Sequence, residues 1–307
     1  MKYLLYLSPL LIFIVISSAR ELNEGALGTR SNPIKIYFTP SVDAKKISFN
    51  AKELTDYLEK ETGYYYITAV PASFVAVVEA FGSGKADIAS INTFSYLMAN
   101  AKYGAEALLR IVRDGNETSY RGQIITRVDS GIDSLSQIDG RKMAYVDPSS
   151  TSGYILPKAL LDRLGIHPAE TAFAMRHDNV VTMVYQKQVD AGATYSAPPD
   201  QETGAIMDAR VRVIKQFPDV AKKIKIIGYT ERIPNDPWVF RKDMSEKMKK
   251  KIVDALLKYV KTPAGQKSLY DIYDIKGLIR TKDSDYDGLR KLLKKENISF
   301  EKVQKKK

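Results

Sequence analysis

Apolar and polar positions along the chain repeat with the spacings of strands and helices in turn. Residues 34–38 alternate like a half-buried strand. Residues 51–62 then carry apolar side chains at helical spacing, and Gly63 stands where a helix stop is expected. The same order continues through strands at 64–70 and 87–91 and helices at 74–81 and 93–101. This alternation predicts an α/β fold with a largely parallel sheet.

A second round of the same alternation begins near Gln123. Strands are predicted at 123–126, 143–146, 191–195 and 224–228, and helices at 154–164, 180–186, 245–261 and 285–295. Two similar units predict two lobes with a ligand cleft between them, where loops at strand ends meet helix N-termini. The predicted boundaries are lobe 1 at 33–122, lobe 2 at 123–230, and a return to lobe 1 with the C-terminal helices at 231–307.

The first twenty residues differ from the rest of the chain. Lys2 is followed by an apolar run over 4–16 and by the small residues Ser17, Ser18 and Ala19. This layout predicts a secretory signal over 1–19 and a flexible leader over 20–32, and hence a periplasmic protein. An uncleaved N-terminal anchor is the alternative, although the run is short for a membrane span.

Composition removes several classes of function. The sequence has no cysteine, which excludes disulfides, thiolate metal sites and a lipidated cysteine anchor. Its two histidines cannot form a His-rich metal cluster, so no metal or cofactor is predicted. The net charge of +11 is spread along the chain, with lysine runs at 249–251, 294–295 and 305–307. These runs are typical of solvated helix faces and tails, so no nucleic-acid partner is predicted.

The most informative segment is the loop from Asp147 to Gly153, which joins a predicted strand to a predicted helix. It carries hydroxyl side chains at Ser150, Thr151 and Ser152. The N–H groups and the dipole of a helix N-terminus bind phosphate or carboxylate, and hydroxyls add further donors. The alternative is that one serine merely caps the helix. Pro157 leaves the start of that helix undecided.

Residues 146–157 resemble the signature of the periplasmic phosphate, phosphite and phosphonate-binding proteins, the PhnD-like family. Four further stretches resemble that family in the same order, and they are residues 69–87, 119–121, 176–178 and 233–237. The likeness runs from about residue 34 to about residue 274. The family has the two-lobed type II periplasmic-binding-protein fold. The resemblance therefore implies that fold, with the ligand in the cleft.

The resemblance also implies roles for individual residues. Ser150, Thr151 and Ser152 would donate to the anionic oxygens. His177 would donate from the second lobe and Tyr120 from the first. Asp236 would accept a hydrogen bond from a protonated ligand oxygen or pair with a ligand amine. From the residues alone, a buried structural histidine, a packed tyrosine and a turn aspartate remain the alternatives.

Two positions depart from the family pattern. Phe74 replaces a site tyrosine of the aminoalkylphosphonate binders, and Ala197 aligns with a glutamate that holds a ligand amine. An unpaired buried ammonium is costly, so phosphate, phosphite or a small alkylphosphonate is expected instead of 2-aminoethylphosphonate. Candidates for a compensating hydroxyl are Thr194, Tyr195 and Ser196. Asn92 and Thr93 follow a strand and precede a helix, so they are further candidate donors.

Together these features predict an exported, monomeric solute-binding protein that delivers its ligand to the permease of an ABC importer by hinge closure. The predicted hinge strands are 120–126 and 224–233. A phosphate-sensing receptor would have the same pocket and remains open. A phosphatase or transferase is the enzyme alternative, but His177 would be its one evident base.

Overall fold

The computed structural model describes residues 25–301, which form two α/β units. The predicted signal segment and the start of the leader lie outside the described residues. The strands are β1 (Ile34–Phe38), β2 (Tyr66–Ala69), β3 (Ile88–Ser90), β4 (Glu106–Val112), β5 (Ser119–Arg127), β6 (Lys142–Tyr145), β7 (Glu170–Phe173), β8 (Ala191–Ser196), β9 (Ile224–Pro234), β10 (Pro237–Phe240) and β11 (Gly277–Arg280). The helices are α1 (Ala44–Thr62), α2 (Phe74–Gly82), α3 (Thr93–Tyr103), α4 (Leu156–Arg163), α5 (His177–Tyr185), α6 (Val220–Lys223), α7 (Glu246–Tyr259), α8 (Pro263–Tyr273) and α9 (Asp287–Lys295). Within residues 25–301, no helix has the length and apolar character needed to cross a bilayer.

The first sheet has the strand order β11-β4-β10-β3-β1-β2. Ile34, Ile36 and Phe38 of β1 are fully buried and share one hydrophobic core with the apolar faces of α1, α7 and α8. Burying a large apolar side chain contributes about 1.5–3 kcal/mol. This core therefore holds the C-terminal helices α7 and α8 against the first sheet.

The second sheet has the order β7-β6-β8-β5-β9. Val180 and Val184 of α5 pack against β8, where Gly192 leaves room for them. A Cβ atom on Gly192 would lie 2.6 Å from the side chain of Val180. This close approach places the first turn of α5, and with it His177, beside the end of the sheet.

The class prediction of α/β with two units is confirmed, but the prediction of a largely parallel sheet is wrong. β1 is parallel to β2 and β3. In contrast, β10 is antiparallel to its neighbours β3 and β4, and β11 is antiparallel to β4. In the second sheet β5 is antiparallel to both β8 and β9. The reason is that the chain crosses between the units. β5 and β10 each follow a crossing, and each runs opposite to the strands beside it.

Several elements escaped the sequence pattern. The strands β4, β7, β10 and β11 and the helices α6 and α8 were not predicted. Helix α1 begins at Ala44, earlier than predicted, because the carboxylate of Asp43 accepts hydrogen bonds from the N–H groups of Lys45 and Lys46. Its predicted end at Gly63 is confirmed, since that glycine adopts the left-handed conformation with φ 69°.

The chain crosses between the sheets twice, and the two crossings lie side by side. One joins β4 to β5 and the other joins β9 to β10. β5 and β9 pair from Ser119 opposite Pro234 to Arg127 opposite Ile224. The N–H of Asn235 donates to the carbonyl of Thr118 at 2.9 Å, which ties the crossings together. The segments predicted as hinge strands thus lie in this β5–β9 pair.

Candidate functional site

A small cavity lies between the two sheets, and both sheets contribute to its walls. Its volume is about 50 Å³. Because a buried water needs about 10–15 Å³ of such space, the cavity accommodates only a few non-hydrogen atoms. Every predicted ligand-binding residue except Thr93 and Thr151 lines it, and its other lining residues are Thr39, Ser41, Val42, Ser90, Ile91, Arg113, Arg212 and Tyr273.

The hydroxyl-bearing loop after β6 is folded around the carboxylate of Asp147. Oδ1 of Asp147 accepts hydrogen bonds from the N–H of Ser149 at 2.8 Å and from its hydroxyl at 2.7 Å. Oγ of Ser150 accepts a hydrogen bond from the N–H of Gly153 at 3.1 Å. Ser150 and Ser152 both line the cavity. Ser150 therefore caps the following turn and still faces the cleft, so the two interpretations of this loop are compatible.

The turn after this loop is wider than an α-helix. Thr151–Ile155 forms a π-helical turn, and α4 begins at Leu156 with Pro157 in its first turn. Proline has no backbone N–H, and the N–H groups in the first turn of a helix have no partner within the helix. Pro157 is therefore tolerated there, and the helix start that the sequence left undecided is at Leu156. A Cβ atom on Gly122 of β5 would lie 2.8 Å from the carbonyl oxygen of Ser152. Glycine at this position thus lets the turn lie close against the strand.

Thr151 joins the two units directly. Its hydroxyl donates to Oδ1 of Asn92 at 2.8 Å and accepts from the N–H of Phe94 at 2.9 Å. The side chain is fully buried. The structure therefore does not bring this hydroxyl into the cavity as expected, because its single proton is used across the cleft by Asn92.

The start of α3 supplies one of the two donors predicted there. Asn92 caps the helix by accepting from the N–H of Ser95 at 3.1 Å, and it also lines the cavity. The hydroxyl of Thr93 donates to the carbonyl oxygen of Pro234 at 2.7 Å. Thr93 thus binds the second crossing, and the structure does not place it among the lining residues.

His177 is the first residue of α5 and is 7% exposed. Its Nδ1 lies 2.7 Å from the hydroxyl oxygen of Thr194, and its ring stands edge-on to Tyr195 with centroids 5.0 Å apart. Burial, and after it the positive charges of Arg212 and Arg113, lower the pKa of His177 to about 3. The imidazole is therefore neutral at physiological pH and offers a hydrogen bond instead of a charge.

Tyr120 and Asp236 meet at the crossings. Tyr120 lies on β5 of the second sheet, which corrects its predicted place in the first lobe. Its hydroxyl donates to Oδ1 of Asp236 at 3.3 Å, and Nη2 of Arg113 lies 3.9 Å from Oδ2 of Asp236. Burial raises the pKa of Asp236 above its ordinary value, although Arg113 and Tyr120 oppose this change. This carboxyl group therefore holds a proton more readily than a free aspartate.

Two arginines in the cavity wall were missed by the sequence reasoning. Arg212 follows β8 in the second unit, where its Nε donates to the hydroxyl of Tyr195 at 3.1 Å. Its Nη2 pairs with Asp274 of the first unit. Arg113 lies 4.0 Å from the same carboxylate. Neither arginine belongs to a recognisable motif, and the scattered basic excess gave no reason to select them.

Aromatic side chains close the remaining walls of the cavity. Phe74 is 1% exposed, and its N–H lies 3.4 Å from Oδ2 of Asp147 across the cleft. The hydroxyl of Tyr273, which was not predicted, donates to the carbonyl oxygen of Thr39. Walls of this kind exclude water and so strengthen the electrostatic interactions inside. Within residues 25–301 no three His, Cys, Asp or Glu side chains come together as a metal site.

Ala197 lies outside the small cavity. It lines a second cavity of about 210 Å³, which shares Arg113 and Tyr120 with the first. The second cavity is rich in carboxylates, which are those of Asp114, Glu117, Asp200, Glu202 and Asp274. The size and donors of the small cavity therefore disfavour a ligand amine, and Ala197 does not do so alone.

The sequence matches a known protein family over most of its length. The model of the family described as "ABC transporter, phosphonate, periplasmic substrate-binding protein" matches residues 36–286. The phosphonates-binding periplasmic protein of Escherichia coli K12 is 25% identical over 253 residues, which are 80% of this chain and 68% of that protein. The phosphate-import protein PhnD of Mycolicibacterium smegmatis is 27% identical over 176 residues. These are 53% of this chain and 54% of that relative, so the second match spans about half of each protein.

Solved structures confirm the predicted two-lobed type II fold. PhnD1 of Prochlorococcus marinus in complex with methylphosphonate superposes with a TM-score of 0.71. The match covers 86% of this chain and 98% of that chain, at 17% sequence identity. At this identity the likeness establishes the fold.

Proposed function

This chain belongs to the family of periplasmic substrate-binding proteins of phosphonate ABC transporters, and on that premise we propose that it captures a small phosphorus oxyanion between its lobes. Phosphate, phosphite and small alkylphosphonates are the proposed ligands. The observation that carries the proposal is the cavity of about 50 Å³, in which hydrogen-bond donors from both units face one small volume.

Each donor has a role that its position supports. The hydroxyls of Ser150 and Ser152 and the N–H groups of their turn bind oxygens from the second lobe. His177 adds a neutral donor. The arginines Arg113 and Arg212 supply positive charge, which makes their hydrogen bonds to an anion stronger than neutral ones.

The charges of the wall favour an anion that carries a proton. Arg113 and Arg212 are balanced by the carboxylates of Asp236 and Asp274. A fully deprotonated anion would therefore meet a carboxylate at Asp236 with no proton between them. A protonated phosphorus oxyanion can donate that proton to Asp236, and the raised pKa of this group favours such sharing.

Closure of the two lobes completes the site. The proposed lobes are the two units, one built on each sheet, and the β5–β9 pair at the edge of the second sheet is the proposed hinge. The ligand stabilises the closed form because it contacts donors of both lobes at once. The protein is proposed to be exported to the periplasm as a monomer, where the closed form is presented to the permease of the importer.

We further propose that the protein binds its ligand without transforming it. His177, the base that the sequence offered for an enzyme, has its Nδ1 occupied by Thr194 and a pKa of about 3. A base with so low a pKa removes a hydroxyl proton poorly at neutral pH. This supports capture over hydrolysis.

Calorimetric titration of stripped and refolded protein tests the proposal. We expect phosphate, phosphite or methylphosphonate to bind tightly and 2-aminoethylphosphonate to bind at least about tenfold more weakly, because an unpaired buried ammonium is costly. The same sample should leave p-nitrophenyl phosphate unhydrolysed. Failure to bind any phosphorus oxyanion would refute the function, and tight binding of the aminoalkyl compound would refute the proposed selectivity.

Asp236→Asn is expected to relax discrimination against sulfate. Sulfate has no proton to donate at neutral pH, so it meets repulsion from the carboxylate of the unchanged protein, whereas an asparagine amide can donate to it. We expect sulfate affinity to rise by about tenfold and phosphate affinity to fall, since one hydrogen bond to a charged group contributes about 1.5–3 kcal/mol. In the unchanged protein, phosphate affinity should decline as the pH rises, because the shared proton is lost. Equal sulfate binding by both proteins would contradict this role for Asp236.

A further inference from the structure

We infer that Thr194 makes His177 a hydrogen-bond donor to the anion by holding the ring in the tautomer that carries its proton on Nε2. Thr194 is then a positioning residue for ligand capture, which acts through the ring and does not touch the ligand. The inference deepens the proposed function and rests on it insofar as the cavity holds an anion.

The geometry leaves only one nitrogen of the ring for a ligand. Nδ1 of His177 lies 2.7 Å from Oγ1 of Thr194, and Thr194 is fully buried in β8. No hydrogen bond joins Nε2 to another residue within 25–301, and the side chain lines the cavity. The edge contact with Tyr195 keeps the ring in this orientation.

The direction of the Nδ1 hydrogen bond decides what Nε2 presents to the cavity. A neutral imidazole has one donor nitrogen and one acceptor nitrogen. If Thr194 donates its proton to Nδ1, then Nε2 carries the N–H and can donate to an oxyanion. If Nδ1 donates to Thr194, Nε2 presents a lone pair, which an oxyanion would repel. Thr194 is buried and its hydroxyl has no other hydrogen-bond acceptor within residues 25–301, so donation to Nδ1 is the arrangement that satisfies its proton, and an anion in the cavity favours the same arrangement.

The surroundings of the ring keep it neutral, so that this choice between tautomers exists. Arg212 from the turn after β8 and Arg113 from the first crossing both disfavour an imidazolium. Tyr195 contacts the ring from β8, and Asp178 follows it in α5. Burial is the largest cause of the lowered pKa of about 3. The ring is thus expected to keep the same protonation from about pH 5 to about pH 8.

The test is nitrogen NMR on protein labelled with ¹⁵N-histidine, which contains only two histidines. His167 is exposed and serves as the internal reference. For His177 we expect a protonated Nε2 and an unprotonated Nδ1, both in ligand-free protein and with saturating phosphate, across the stated pH range. A protonated Nδ1 or an imidazolium at His177 would overturn the inference.

Two variants separate positioning from packing. Thr194→Ser keeps a hydroxyl and should retain the tautomer, with phosphate affinity within about threefold of the unchanged protein. Thr194→Val keeps the shape and removes the hydroxyl. It should lower phosphate affinity by about tenfold and let the Nδ1–H tautomer appear in ligand-free protein. A Val variant with the original tautomer would show that Thr194 only packs against the ring, and would overturn the inference. If the unchanged protein binds no phosphorus oxyanion, the proposed function fails, but the ligand-free spectra still decide this inference.

Discussion

Replacing Arg212 with alanine is expected to weaken phosphate binding by at least about a hundredfold, the largest effect we predict. Arg212 lies in the cavity wall and pairs across the cleft with Asp274. Removing one partner of a buried ion pair costs about 3–5 kcal/mol, because the other charge is left uncompensated. Here the ligand loses a positive partner and the closed form loses a bond between the lobes. Calorimetry measures the loss of affinity.

Arg210 offers a matched control for this experiment. Its side chain is 12% exposed, as is that of Arg212, and it also forms an ion pair with an aspartate. Its partner, Asp208, belongs to the same turn of the second unit, and neither residue lines the cavity. Arg210→Ala is expected to lower the thermal midpoint without changing phosphate affinity. Equal affinity losses in the two variants would mean that Arg212 acts through general stability.

Thr151→Val is expected to weaken phosphate binding by about ten- to a hundredfold through the closed form of the protein. The substitution removes the hydroxyl that bonds both Asn92 and the N–H of Phe94 across the cleft. A buried polar group left without its partner costs about 1–3 kcal/mol. These groups regain water when the lobes open, so the cost falls on closure. The variant should therefore scatter X-rays as a more open molecule than the unchanged protein at subsaturating phosphate.

Thr151→Ser is the control, because serine retains a hydroxyl at the same position. We expect it to preserve both the affinity and the scattering profile, apart from the small cost of a lost methyl group. If Thr151→Val binds phosphate as tightly as the unchanged protein, the contact with Asn92 does not stabilise closure. If the Val variant binds weakly but its scattering equals that of the unchanged protein at the same fractional saturation throughout the titration, the hydroxyl acts on the ligand and not on the lobes.

Local patterns predicted those parts of the site that depend on near neighbours. A strand followed by hydroxyls and a helix indicated the loop at 150–152, and Asn92 was found from the same logic at the start of α3. The structure brings Ser150, Ser152 and Asn92 to one cavity. It also turns Thr93 and Thr151 towards protein partners, since a hydroxyl in such a loop has several acceptors within reach and sequence cannot rank them.

By itself the sequence determined the α/β class, the division into two units and the polar loops at the strand ends. These properties follow from spacing and from capping residues, which act over a few positions. Only the tertiary structure decided which side chains meet there, because Arg212 and Asp274 are 62 positions apart and Thr151 and Asn92 are 59 apart. Such pairs form where the two sheets face each other across the cleft. Their energies depend on burial and distance, which no local pattern records.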